Sequence, residues 1–231
     1  MHRALPEIDE DEIDTSCWFL GRKLRAPLMI CAMTGGHPDV ASINLHLGQA
    51  ASELGIAIGV GSQRAALEDC SLEKTFSVVR DAAPDVPIIG NIGAVQLKRS
   101  GPEIIERLAD MIDADAIAVH LNFLQESIQP EGDRDACGVL DALRSAAAGR
   151  LPIIVKETGA GISRETARDL MHAGIKIIDV SGAGGLSWAA VEASRAEEAE
   201  DEELAQMGRL FAEWGIPTPV SIVECRTAGA F

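Results

Sequence analysis

The sequence predicts an α/β protein with a parallel sheet, either a (β/α) barrel or an open doubly wound sheet. Three observations carry that reading. Six short apolar runs alternate with segments of helical periodicity, each run is apolar almost throughout, and the connections are short. Strands covered by helices on both faces read as continuous apolar runs, whereas a half-solvated antiparallel strand alternates. Regular β and α alternation is the signature of a parallel sheet.

The elements follow in order. The first run is 27–33, and the helical pattern from Asn44 to Leu54 after it stops at Gly55, as suits a left-handed helix cap. The second and third runs are 56–60 and 86–92. Ser100-Gly101-Pro102-Glu103 has capping-box spacing with Pro in the first turn, ahead of Ile104, Ile105, Leu108, Met111 and Ile112. The fourth and fifth runs are 116–121 and 151–155. Ser163 is placed to cap a helix whose Ala167, Leu170 and Met171 face the sheet, with Gly174 as its stop. The sixth run is 175–180. The stretch from Trp188 to Trp214 departs from this rhythm. Its acids Glu197, Glu198, Glu200, Asp201, Glu202 and Glu203 read as a solvated helix face or loop, and Leu204, Met207, Leu210, Phe211 and Trp214 as a packing stripe. Residues 1–231 are therefore read as one domain with an acidic helical excursion near 188–214. A closed barrel has eight βα units, so a barrel built from these six is expected to be incomplete.

Composition bounds the function. A chain of 231 residues can bury a sizeable core, and with few aromatics and no Tyr that core is built from Ile, Val, Leu and Ala. A net charge of −16 argues against a general nucleic-acid or membrane-surface binder, while leaving room for a local basic pocket. Cys17, Cys31, Cys70, Cys137 and Cys225 are odd in number with no CxxC pair, which fits reduced thiols better than a disulfide frame or a zinc site. No apolar run reaches membrane-spanning length, and the acid-rich opening from Met1 to Glu12 is not a signal peptide. The expectation is a cytoplasmic globular enzyme.

Parallel α/β folds bind ligands at the C-terminal ends of their strands, and here every such end is decorated. After the fourth run come His120-Leu121-Asn122-Phe123-Leu124-Gln125-Glu126 and then Gln129-Pro130-Glu131. An imidazole, carboxamides and a carboxylate together suit a charged ligand, with Mg²⁺, or else a well-bonded polar loop. The first run ends in Ala32-Met33-Thr34-Gly35-Gly36 and the second in Gly59-Val60-Gly61-Ser62-Gln63-Arg64, where Arg64 could fork onto phosphate or stand as a surface charge. Gly90-Asn91-Ile92-Gly93 closes the third. Lys156-Glu157-Thr158-Gly159-Ala160-Gly161 closes the fifth, with an ammonium that needs an anionic partner if half-buried. Asp179 to Trp188, with Ser181 and Gly182-Ala183-Gly184-Gly185, closes the sixth. Each glycine pair alone reads as a tight turn. Glycines, one Lys, amides and hydroxyls on one rim are the surroundings a flavin ring wants.

As an ordered set, Ala32-Met33-Thr34-Gly35-Gly36, Gly61-Ser62-Gln63-Arg64, His120-Leu121-Asn122 with Gln125-Glu126, Gln129-Pro130-Glu131-Gly132, Lys156-Glu157-Thr158-Gly159 and Ser181-Gly182-Ala183-Gly184-Gly185 resemble the type 2 isopentenyl-diphosphate Δ-isomerases. The likeness runs from about Ala4 to Thr218. It implies a TIM-type barrel that interconverts isopentenyl and dimethylallyl diphosphate by 1,3-allylic proton transfer. It also implies FMN reduced by NADPH, and Mg²⁺ on the diphosphate. By motif, Ala32, Met33, Thr34, Ser62, Asn91, Lys156 and Ser181 would contact FMN. Ser62, Gln63, Arg64, His120, Asn122 and Gln125 would hold the substrate, and Glu126 would ligate Mg²⁺. No side chain is assigned as the primary acid or base, a role the reduced flavin would take.

The family pattern begins before Met1 with a basic segment and continues past Thr218 into two further βα units, so the resemblance implies truncation at both ends. Leu186 stands where the family usually has Thr. Family members form homo-oligomers around a small diphosphate substrate, with no nucleic acid or membrane partner. The alternatives are another FMN barrel of the 2-hydroxyacid oxidase type, or a non-catalytic fragment.

Overall fold

An antiparallel hairpin, β1 (Cys17–Phe19) and β2 (Arg22–Leu24), precedes a sheet of six parallel strands in sequence order. These strands are β3 (Met29–Ile30), β4 (Ala57–Gly59), β5 (Ile88–Gly93), β6 (Ala116–Leu121), β7 (Ile153–Glu157) and β8 (Ile177–Asp179). The computed structural model describes residues 4–230, so Met1 of the acidic opening lies outside the described residues. The sheet curls into a half-barrel, with helices on its outer face. Between β3 and β4 runs α1 (Ala41–Leu54), capped by Gly55 at φ 63°. The helices α2 (Arg64–Glu68) and α3 (Lys74–Ala82) link β4 to β5, and α4 (Ala94–Ser100) and α5 (Ile104–Ile112) link β5 to β6. Next come α6 (Phe123–Ile128) and α7 (Val139–Ala147) before β7, and α8 (Arg164–His172) before β8. The excursion is a helix pair, α9 (Trp188–Glu198) and α10 (Glu202–Leu210), and α11 (Thr218–Ala228) packs back on α8.

The period of two along each strand sorts the core. Outward residues such as Ile92, Ile117, Val119 and Val155 meet the helix stripes, including Leu108, Leu143 and Leu170. Inward residues Ile89, Ala116, Ala118 and Ile154 instead meet Leu24, with Cys17, Phe19, Leu20 and Ile177 packed on them. The hairpin is thus a plug at the N-terminal end of the curled sheet. It is tied there by Asp115, just before β6. The carboxylate accepts from Arg22 Nε (3.0 Å), Arg80 Nη2 (2.8 Å) and the Ile88 amide (2.9 Å), and Arg80 also donates to the Pro84 and Val86 carbonyls.

Two sequence expectations change. Ser100 does not cap a helix: it is the last residue of α4, Gly101 at φ 81° ends that helix, and α5 starts behind Glu103 with no side-chain cap. Ser163 does cap α8, accepting from the Thr166 amide at 3.2 Å. The stripe in the excursion packs only in part: Leu204, Met207 and Phe211 are half-buried, while Leu210 and Trp214 are exposed. The buried contact is made by small residues, Ala189, Ala193 and Ala196 of α9 with Ala205 and Gly208 of α10. A Cβ on Gly208 would lie 2.7 Å from both the Ala189 carbonyl and Ala193 Cβ, so glycine is what lets these helices touch. The acidic run falls at the α9–α10 junction. Asp201 caps α10 and Arg209 bridges Glu197 and Glu202, an arrangement that the positive helix start favours.

Candidate active site at the strand ends

The sheet register sets the site. Gly93, His120, Lys156 and Asp179 are Cα partners across β5 to β8, one layer above Asn91, Ala118 and Ile154. The inward face therefore passes from apolar residues on the hairpin plug to polar residues at the rim. Outside that layer lies a cleft of about 220 Å³ lined by Ser62, Arg64, Gln96, His120, Glu126 and Glu131 among others.

His120 Nδ1 lies 2.8 Å from Asn91 Oδ1. A carboxamide oxygen only accepts, so the imidazole carries its proton on Nδ1 and turns an acceptor Nε2 outward. Burial, then the charges of Lys156 and Arg64, push its pKa from the usual 6.5 to about 4. The ring is neutral at neutral pH. An unfolded His binds its proton near 6.5, so in the window from 6.5 down to about 4 the unfolded chain holds more protons. This contribution to stability is complete above pH 6.5 and is lost as pH falls through the folded value. In urea titrations the wild type should lose up to about 3 kcal/mol more than His120→Gln between pH 7 and pH 4. Parallel curves for the two proteins would refute the assignment.

Lys156 Nζ donates to the Glu157 carbonyl (2.7 Å), with Ser181 Oγ at 3.5 Å and Asp179 Oδ2 at 3.9 Å. Ser181, at φ 34°, is held by its amide and hydroxyl on Asp179 Oδ1. Next to Lys156, the Glu157 carboxylate accepts from the amides of Thr158, Gly159 and Ala160, which fixes the loop leaving β7. Asn91 is buried, and its amide hydrogens have no partner among the described residues. Ala32 lies against Gly59 and Met33 is exposed at the rim.

Three residues sit differently from their sequence assignment. Gln63 is wholly buried: its amide donates to the Leu108 carbonyl (2.9 Å) and its oxygen accepts from the Asn91 amide (3.0 Å), so it braces β5 against α5 and offers nothing to the cleft. The Thr34 hydroxyl is turned inward onto Asn44, and its carbonyl takes the Gly61 amide at 2.8 Å. Gln125 faces away from the Arg64 side, donating to Glu192 at 2.9 Å. Arg64 itself is half-exposed, 3.9 Å from Glu68, and lines the cleft.

Glu126 lines the same cleft as Arg64. Its Oε1 accepts from Asn122 Nδ2 (2.8 Å) and its Oε2 from the Asp133 amide (2.6 Å). Glu131 is held by hydrogen bonds from Gln129, its own backbone and Arg195, which keep its carboxyl down near 2. Sequence reading missed Gln96, Asp133, Glu192 and Arg195. Gln96 carried one faint signal, a carboxamide one turn into an otherwise apolar helix start behind a decorated strand end.

The chain was compared with known proteins. No family model matches it. A protein of Methanothrix thermoacetophila named isopentenyl-diphosphate delta-isomerase is 66% identical over 230 residues, covering 100% of this chain and 64% of the relative. Its namesake in Methanosarcina mazei is 55% identical over 99% of this chain and 63% of that one, and in Archaeoglobus fulgidus 51% identical over 98% and 65%. The chain thus spans just under two thirds of the length of these curated relatives. Among solved structures, "QR15, an Aldolase" superposes with a TM-score of 0.50 at 16% identity, over 78% of this chain and 76% of that one, a likeness of fold alone. Along its whole length, the chain is a homologue of the archaeal proteins named isopentenyl-diphosphate delta-isomerase.

Proposed function

We propose that this chain carries the substrate-facing half of an isomerase that interconverts isopentenyl and dimethylallyl diphosphate with reduced FMN and Mg²⁺. One observation supports it beyond the homologues. A guanidinium and a carboxylate, Arg64 and Glu126, share a cleft that opens beside the His120–Lys156–Asp179 layer, so the head and the tail of such a substrate have adjoining places.

Both helpers fit the groups present. Among the described residues no cluster of three His, Cys, Asp or Glu could hold a metal alone. One carboxylate beside an anion cleft is how Mg²⁺ is held when phosphate oxygens and water complete its shell. For a flavin, Lys156, Ser181 and the side-chain Nδ2 of Asn91 offer donors near the rim, and Gly59 and Ala32 leave the backbone bare beneath. Bound and reduced by NADPH, FMN would supply the proton chemistry at the allylic carbons, since no ordinary side chain readily protonates an alkene.

The chain's own groups then bind and orient. Arg64 and Ser62 take diphosphate oxygens, and Glu126 takes the cation between them. Asn122 steadies Glu126, and the neutral His120 turns Nε2 toward the cleft without adding a charge that Arg64 would repel. Gln125, fixed by Glu192, closes the side next to Trp188. No described helix is long and apolar enough to cross a membrane. We read the protein as cytoplasmic, acting on a small diphosphate with no nucleic-acid or membrane partner.

Flavin fluorescence during titration with FMN tests this reading. Saturable quenching in the micromolar range, followed by isomerisation with dithionite-reduced FMN and Mg²⁺, is the expected result. A chain folded by circular dichroism that leaves the fluorescence unchanged would refute activity in this chain. Leu186 is exposed in the turn after β8, so Leu186→Thr should leave folding intact and strengthen binding if that turn meets the flavin.

A further inference from the structure

Glu126 does not set its own direction. The Asp133 amide holds Oε2 and Asn122 holds Oε1, one donor to each oxygen. A carboxylate has about four acceptor positions, so one on each oxygen is left for a ligand. Asp133 is itself gripped from α4: its carboxylate takes Gln96 Nε2 at 2.8 Å and Arg99 Nη1 at 2.6 Å. Two glycines make that grip possible. A Cβ on Gly132 would overlap the Glu126 carbonyl, so the loop lies flat on α6. One on Gly93 would overlap the Gln96 side-chain oxygen and itself lie 3.1 Å from His120 Nε2. A connected path thus runs from the strand end at Gly93 through Gln96 and Asp133 to Glu126.

We infer that Asp133, held by Gln96 and Arg99, is a positioning residue that aims the Glu126 carboxylate at a cation carried into the cleft by a diphosphate. This rests on the metal reading of Glu126 above. The loop has a second tether, Lys98, which donates to the Asp135 and Cys137 carbonyls and touches nothing at Glu126. It separates positioning from mere loop stability.

The test is Mn²⁺ in place of Mg²⁺, with inorganic diphosphate as the probe. Free Mn²⁺ is followed by its electron paramagnetic resonance signal as the purified chain is added. Glu126→Gln should abolish uptake. Asp133→Asn should weaken it about 10- to 100-fold, the usual effect of losing an outer-sphere partner. Gln96→Glu, which sets a carboxylate against Asp133, should do the same and decides the matter if Asp133→Asn fails to fold. Lys98→Met should stay within about twofold of wild type, since it spares that outer sphere. Wild-type affinity in Asp133→Asn and Gln96→Glu, with uptake lost in Glu126→Gln, overturns the positioning role alone. A loss in Lys98→Met as large as in Asp133→Asn overturns it too. No uptake by the wild type, or full uptake by Glu126→Gln, overturns the metal reading and this inference with it.

Discussion

Phe76→Ala should cost about 4 kcal/mol of stability, the largest loss expected from a single side chain here. Phe76 is fully buried on α3, among Ala51, Ile58, Val60, Ala66 and Val79. Its ring also lies where a Cβ on Gly35 would fall, so the turn leaving β3 rests directly on it. The neighbouring Thr75 hydroxyl accepts from the Gly36 amide at 2.9 Å, fixing the same turn from one residue away. Removing the ring leaves a cavity under a backbone that has no side chain of its own to fill it. Urea titration should show a lower midpoint at unchanged slope, and FMN affinity should fall with it. A loss under about 1 kcal/mol would mean the turn collapses onto α3 and is not seated on the ring.

Asp115→Ala should cost about 3 kcal/mol, in the range for breaking a buried pair. Arg80 is mostly buried, and without Asp115 its guanidinium keeps only carbonyl partners and Asp113, whose carboxylate is exposed. The Ile88 amide at the start of β5 would lose its acceptor as well. Arg22→Gln should cost no more than about 1 kcal/mol, because Arg22 is 37% exposed and its pair is screened. Equal losses in the two variants, measured by urea denaturation, would show that the hairpin tie and not the Arg80 pair carries the effect.

How much was legible follows from where the physics is local. The run 116–121 was read to the residue because β6 is covered on both faces and its apolar pattern is unbroken until His120 at the rim. The first run shrinks to two residues because β3 is an edge strand, paired only with β4, and its chain leaves the ladder to form the glycine turn over Phe76. The hairpin went unseen: its strands are three residues long, and its turn places Leu20, not glycine or asparagine, at φ 49°. At the site, strand-end position was legible from the runs, but facing was not. Gln63 and Arg64 are adjacent, yet one is buried behind the strands while the other opens on the cleft. Gln96 and Asp133 are 37 residues apart and Gln125 and Glu192 are 67 apart, contacts that only the closed fold defines.

The hairpin plug also has a consequence in time. Leu24 and its neighbours complete their contacts only with Ile154 and Ile177, roughly 150 residues further along the chain. At ribosomal rates of about 5–20 residues per second, the hairpin waits on the order of ten seconds for the last of these partners. During that interval Phe19, Leu20 and Leu24 have only part of their native surface to cover them, supplied by Ala57, Ile89, Ala116 and Ala118. The hairpin therefore completes its docking only after β8 has been made, so a segment that precedes the sheet is the last to be fully seated on it.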